Sequence, residues 1–253
     1  MQGFSIIFFA VQSMLRDPGA TLRLAVLPWL VALSVILCTF QILGGIDPAS
    51  LAASNFLNVV ANPGYIYAFT ISLFVFCVVG AWVGLSWHRY VLLREGAGAV
   101  LPHRNPQAFE YHFDAAMKFA LLAFAVYMMI RFLLVPLVPV LGFSGPGAKI
   151  ISLAINALVV SILLRYGLVM PAAALERPIS MGDSWEATEG YSGPLFAIGF
   201  VIVLLIELAG LVPGSSLASS ALQLCAAWAG FLIAIAAITV LYGVRVQGRR
   251  LIV

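Results

Sequence analysis

Residues 218–242 read ASSALQLCAAWAGFLIAIAAITVLY, with no charged side chain, and Arg245, Arg249 and Arg250 follow closely. As a helix this stretch rises about 1.5 Å per residue, enough to cross a hydrocarbon layer of about 30 Å. It is apolar on every face, so it has no polar stripe to turn toward water. Five further stretches share this character, at about 22–43, 65–87, 119–143, 150–172 and 195–212. The fold class that follows is all-α: one polytopic transmembrane domain, 1–253, of six spanning helices arranged as three tandem hairpins.

The composition agrees. Of the 253 residues, 63% are hydrophobic and 9% charged, and the mean hydropathy is +1.08. A soluble domain is about 45–50% apolar and about 25% charged, so lipid is the solvent here. The net charge of +3 comes from scattered basic residues without an Arg/Lys stripe, which argues against nucleic acid as a partner. Cys38, Cys77 and Cys225 stand alone inside apolar runs, with no CxxC spacing, and read as small buried hydrophobes.

Between the spans the sequence predicts short helices. Residues 4–15 (FSIIFFAVQSML) are apolar but too few to span, and Arg16-Asp17-Pro18-Gly19 stops them. No positive charge precedes them, so an interfacial helix over about 4–16 is expected rather than a signal peptide. Asn105-Pro106 reads as an N-cap with proline at the first helical position, opening a helix that leads into the third span. In 176–192 (ERPISMGDSWEATEGYS), Asp183 and Glu186 have capping-box-like spacing.

Orientation follows from the basic residues. With the N-terminus inside, Arg16, Arg23, Arg89, Arg94, Arg104, Lys118, Arg165, Arg177, Arg245, Arg249 and Arg250 are cytoplasmic. Only Lys149 falls in an outer loop, and Arg131 lies within a span. The Lys/Arg bias therefore places both termini in the cytoplasm and the short helices on the cytoplasmic side of an inner membrane. The chain also repeats itself. Tyr90, Tyr166 and Tyr242 each close a span at equal spacing (166 − 90 and 242 − 166 both equal 76). The strings HRYVLLREG, LRYGLVMPA and VLYGVRVQG are alike, as expected for a parallel threefold repeat; tyrosine's preference for the interface is the simpler alternative. His88, Arg89, Tyr90, Arg165, Tyr166 and Tyr242 are the expected cytoplasmic-interface residues.

Arg131 in the third span and Glu207 in the fifth are also 76 apart and sit at matched depth, each about 20 Å from the cytoplasmic end. A lone charge at that depth is costly, so an Arg131–Glu207 ion pair facing the bundle interior is expected. It could serve a solute site or a packing bridge; alternatively Arg131 snorkels outward. Gln41 and Asn156 are possible supporting hydrogen-bond partners. Gly80 and Gly84 in span two, and Ala226, Gly230 and Ala234 in span six, form small-residue faces that let helices approach closely. Pro136 and Pro139 would kink span three beyond Arg131.

His88, Glu95, His103, Glu110, His112 and Asp114 gather in the second cytoplasmic segment without metal-ligand spacing, and read as a solvated loop. Only His88 touches a span, at its edge, which argues against a bis-histidine haem. No span interior carries a lysine for a retinal Schiff base. No nucleophile–base pair or phosphate loop occurs, so catalytic, cofactor and metal assignments are all none.

The leading helix FSIIFFAVQSMLRDPG, the segment RYGLVMPAAALERPISMGDSWEATEG and the adjoining spans resemble a group of bacterial six-span membrane proteins. These are the YciC-like proteins and the membrane domain attached to some glycerophosphodiester phosphodiesterases. The resemblance implies a six-span inner-membrane architecture and transfers no catalytic residue, because the chain carries no phosphodiesterase domain. The function expected is non-catalytic binding of membrane lipids, of another membrane protein or of a second copy. A small transporter or channel using Arg131 and Glu207 is the alternative. A membrane enzyme acting on lipid is the third reading; it would need 94–114 and 176–192 to converge on one pocket.

Overall fold

A computed structural model describes residues 3–44, 63–94, 106–134, 137, 142, 145–211 and 217–249, with side chains given for most of them. Among these residues all regular structure is helical. In chain order the elements are α1 (Gly3–Arg16), α2 (Pro18–Thr21), a π-helical turn (Leu22–Val26), α3 (Leu27–Gly44), α4 (Pro63–Leu93) and α5 (Pro106–Leu134). They continue with α6 (Gly145–Tyr166), α7 (Val169–Ala174), α8 (Met181–Ala187), α9 (Ser192–Gly210) and α10 (Leu217–Arg245). Six of these segments are long and apolar enough to cross a membrane, the first running from α2 through α3. The chain is thus an all-α protein of six-span type.

Each predicted hairpin is a packed pair: α3 on α4, α5 on α6, α9 on α10. Contacts between hairpins run α4–α5, α6–α9 and α10–α4, so five long helices close a ring, with α3 laid along α4. Helices with apolar flanks gain little from hydrophobic burial against one another in lipid, so close packing must hold them. Among the described glycines the tightest approach is that of α6 on α9. A Cβ built on Gly199 would lie 2.6 Å from the Ala157 carbonyl oxygen and 3.2 Å from the Ser161 nitrogen. Ala157 and Ser161 present one small-residue face and Gly199 the other.

The small residues expected at interfaces meet partners within the chain. Gly80 lies against Phe231, Gly84 against His112 and Ile235, and Gly230 against Ile202 and Ile206. Ala226 is buried and Ala234 half-buried. Near this contact Trp29 of α3 stacks on Trp228 of α10, with ring centroids 4.4 Å apart and 7° between planes, and Phe76 edges onto both.

Several boundaries differ from expectation. The capping box of α8 is formed by Ser180 and Asp183, each side chain bonded to the other's backbone N–H, rather than by Asp183 and Glu186. The hydroxyl one turn upstream wins because it sits where the N-cap backbone is extended. The fourth span breaks at Gly167-Leu168 before α7, where a Cβ on Gly167 would lie 2.9 Å from Ile238. Cys38 and Cys225 are exposed and Cys77 intermediate, so the thiols do not belong to a core; they sit on faces left for lipid. Pro136, Pro139, Glu95, His103 and Arg104 lie outside the described residues.

Candidate functional site

The described polar contacts concentrate at one end of the bundle, called here the basic end, where the turns after α4, α6 and α10 meet α1, α7 and α8. Three arginines tie it together. Arg89 of α4 donates from one nitrogen to the Ala174 carbonyl at 2.8 Å and to Glu176 Oε1 at 3.1 Å. Arg165 of α6 donates to Thr188 Oγ1 and the Trp185 carbonyl, and its guanidinium lies 3.4 Å from the Trp185 ring centroid. Arg245 of α10 donates to the Ala187 carbonyl at 2.8 Å. Each arginine thus meets a carbonyl at or near the C-terminus of α7 or α8, where helical carbonyls lack partners and the dipole favours a cation.

Glu176 stands where α7 ends, with φ at 60°, and Arg177 N–H returns to the Ala172 carbonyl. Glycine usually fills this left-handed C-cap position because a side chain there is strained. Here the Arg89 contact gives the glutamate side chain a reason to occupy it.

The interface tyrosines separate in role. Tyr90 donates to Asp17 Oδ2 at 2.9 Å, while the other carboxylate oxygen of Asp17 accepts from Ala20 N–H and caps α2. Tyr166 packs on Trp185 with centroids 5.1 Å apart. Tyr242 is buried in the core cluster that also holds Ile6 and Ala10 of α1. The Ala20 N–H and then the Tyr90 hydroxyl hold the Asp17 carboxyl below its ordinary value of 3.8. A depressed carboxyl contributes stability that is complete above the ordinary value and is lost as pH falls through the folded one. Hydrogen exchange of residues 14–21 is therefore expected to accelerate on acidification below about pH 4, and in Asp17→Asn to be fast already at neutral pH.

The largest departure from the sequence reading concerns the histidines. His88 and His112 are both fully buried, not part of a solvated loop. His112 lies on a continuous α5 that runs from Pro106 into the span, so two histidines, not one, belong to spanning helices. Burial follows from register: Glu110 and Asp114 are exposed on the outer face of α5 while His112 points inward. The rings meet edge to face with centroids 5.6 Å apart. His88 Nδ1 lies 2.7 Å from Thr239 Oγ1, and His112 Nδ1 lies 3.0 Å from the Met170 carbonyl. A signal for this was present in the sequence: Gly84 stands one turn before His88, and a Cβ there would come within 3.1 Å of His112 Nε2.

The other nominated residues are dispersed. Glu207, expected to face the bundle interior, is exposed on α9, and the side chain of Arg131 lies outside the described residues. The outward position of Glu207 follows from the buried face of α9 being centred on Leu195, Ile198, Ile202 and Ala209, roughly a third of a turn away from it. Gln41 is exposed and Asn156 half-buried. Among the described residues Glu110, Asp114, Glu186 and Glu189 are exposed and lie apart from the buried histidines. No group of three or more His, Cys, Asp or Glu able to hold a metal occurs among them. No protein-family model, curated protein or solved structure matches this chain.

Proposed function

We propose that the chain is a non-catalytic, multi-pass protein of the inner (plasma) membrane, with both termini cytoplasmic, that binds membrane lipid or a partner membrane complex. The observation that carries this reading is the divided surface of α1. Ile6 and Ala10 are buried against α9 and α10, while Phe8 and Leu15 are 58% and 71% exposed beside Arg16 at the helix end. Apolar side chains beside an exposed cation match the boundary between acyl chains and headgroups, or the buried edge of a partner. The excess of arginine at the basic end supports the cytoplasmic assignment by the Lys/Arg rule. The 76-residue spacing of Tyr90, Tyr166 and Tyr242 supports a tandem repeat of the hairpins.

The polar chemistry at the basic end supports a structural role for its residues. Arg89, Arg165 and Arg245 are engaged with backbone carbonyls, which fixes the short helices against the spans. Purification from the native membrane in nanodiscs, followed by native mass spectrometry, tests the reading. Retained lipid or a stoichiometric protein partner is expected, and Phe8→Ser with Leu15→Ser should reduce its occupancy severalfold. A bare chain, or occupancy unchanged by that double substitution, would refute it.

A further inference from the structure

The chain that joins α1 to α3 carries one dipeptide twice, Leu15-Arg16 and Leu22-Arg23, on either side of the Asp17 cap. All four side chains are exposed, Leu15 and Leu22 at 71% and 50%. The turn folds the second copy back on the first: Thr21 Oγ1 donates to the Met14 carbonyl at 2.7 Å. Arg23 Nε donates to the Gly19 carbonyl at 3.2 Å, which draws its guanidinium back toward Asp17. A Cβ on Gly19 would find Asp17 Oδ1 at 3.5 Å and Arg23 Nη2 at 3.9 Å. Tyr90, bonded to Asp17, stands close enough to both arginines for their charges to reach its hydroxyl. Two guanidinium groups thus gather around one anchored phenol. Among the described residues neither forms an ion pair, and only the Arg23 Nε is spent on a hydrogen bond. Both Asp17 oxygens are already taken, by the Ala20 N–H and the Tyr90 hydroxyl. Two cations against one carboxylate leave a net charge of +1 here, whereas Arg89, Arg165 and Arg245 are spent on carbonyls.

We propose that Arg16 and Arg23 together hold the phosphate of an acidic phospholipid from the leaflet at the basic end. The inference names the lipid class of the proposed function and rests on that reading. Guanidinium forks match the oxygens of a phosphate and bond them in pairs. The apolar half of such a ligand has its place as well. Leu22 lies beside Arg23, and Leu27, Leu30 and Val31 follow along the first span, 41%, 49% and 65% exposed. From Arg23 to Val31 the helix descends about 12 Å, inside the half-thickness of about 15 Å that one leaflet contributes. A single lipid of that leaflet can therefore meet the cations with its headgroup and this stripe with its chains. Charge selects the class. A zwitterionic headgroup brings its own cation to a site that is already positive, whereas an acidic one neutralises it. Exposed apolar side chains alone would not discriminate, because every phospholipid supplies acyl chains.

The test uses the full chain in nanodiscs of equal parts phosphatidylglycerol and phosphatidylcholine, released into mild detergent for native mass spectrometry. Retained lipid is expected to be phosphatidylglycerol in severalfold excess, and R16Q and R23Q should each lower its occupancy about fivefold. R177Q removes the same charge from an exposed arginine elsewhere at the basic end and should change nothing. If a glutamine variant fails to fold, the wild-type chain decides by salt: about 0.5 M sodium chloride screens an exposed site and should erase the preference. Equal retention of the two lipids, a preference that survives salt, occupancy unchanged by R16Q and R23Q, or R177Q acting as strongly as either would overturn the proposal. So would retention of a protein partner without lipid. In those cases the broader reading stands as long as Phe8→Ser with Leu15→Ser still lowers what is retained; a bare chain would end both.

Discussion

Gly199→Ala is expected to destabilise the bundle by about 3 kcal/mol, at the upper end of ordinary overpacking. The new methyl would stand 2.6 Å from the Ala157 carbonyl oxygen, with Val160 Cβ and Ser161 N close behind. Two of these three are backbone atoms, which cannot swing aside as the tip of a side chain can. Relief requires α9 to move away from α6, which opens this close helix pair and its dispersion contacts. In thermal unfolding in detergent or nanodiscs this corresponds to a Tm lower by roughly 6–12 °C. Gly193→Ala is the control, since nothing lies within 4 Å of its added carbon, and its Tm should stay within about 1–2 °C of wild type. Equal Tm values for the two variants would mean that α6 and α9 do not approach as described.

The second large effect is expected at Arg89. Replacing it with methionine keeps most of the stem's packing but removes the guanidinium that donates to the Ala174 carbonyl and to Glu176 Oε1. The Arg89 side chain is only 10% exposed, whereas Glu176 is 35% exposed and can recover water. The loss is therefore placed at about 2 kcal/mol, below that of a fully buried broken pair. It should be local first: hydrogen exchange across 169–180 accelerates before the long helices respond. Glu176→Gln retains an acceptor for Arg89 and is expected to cost less than about 1 kcal/mol. If Arg89→Met left exchange in 169–180 unchanged, the clamp would not be what holds α7.

The contrast between spans and site shows what a single sequence carries in such a protein. Six spans were legible because lipid demands about 20 apolar residues in succession, a signal independent of neighbours. The start of α5 at Pro106 and the short helices α1 and α8 were legible from local chemistry. Proline pre-sets the first helical φ, and α1 is too short and too sharply stopped to cross. The histidine pair was not legible, because His88 and His112 meet only when α4 and α5 are adjacent, and hydropathy does not name neighbours. Counting inward from a presumed loop also placed His112 in water, whereas α5 continues through it. Matched depth drew attention to Arg131 and Glu207, but depth is only one of two coordinates. The rotation of α9 about its axis turns Glu207 outward, and no periodicity in an all-apolar helix announces that rotation.

The π-helical turn at Leu22–Val26 gives the first span an unusual genetic property. Such a turn accommodates one residue more than the α-helix around it, with α2 held by its Asp17 cap on one side and Trp29 stacked on Trp228 on the other. Elsewhere in a span, losing one codon rotates everything downstream by about 100° and scrambles which faces meet. Within these five residues the same deletion heals the wide turn into an ordinary one and leaves both flanks facing as before. The first span thus has a built-in site where its length can change by one residue without re-aiming the aromatic stack.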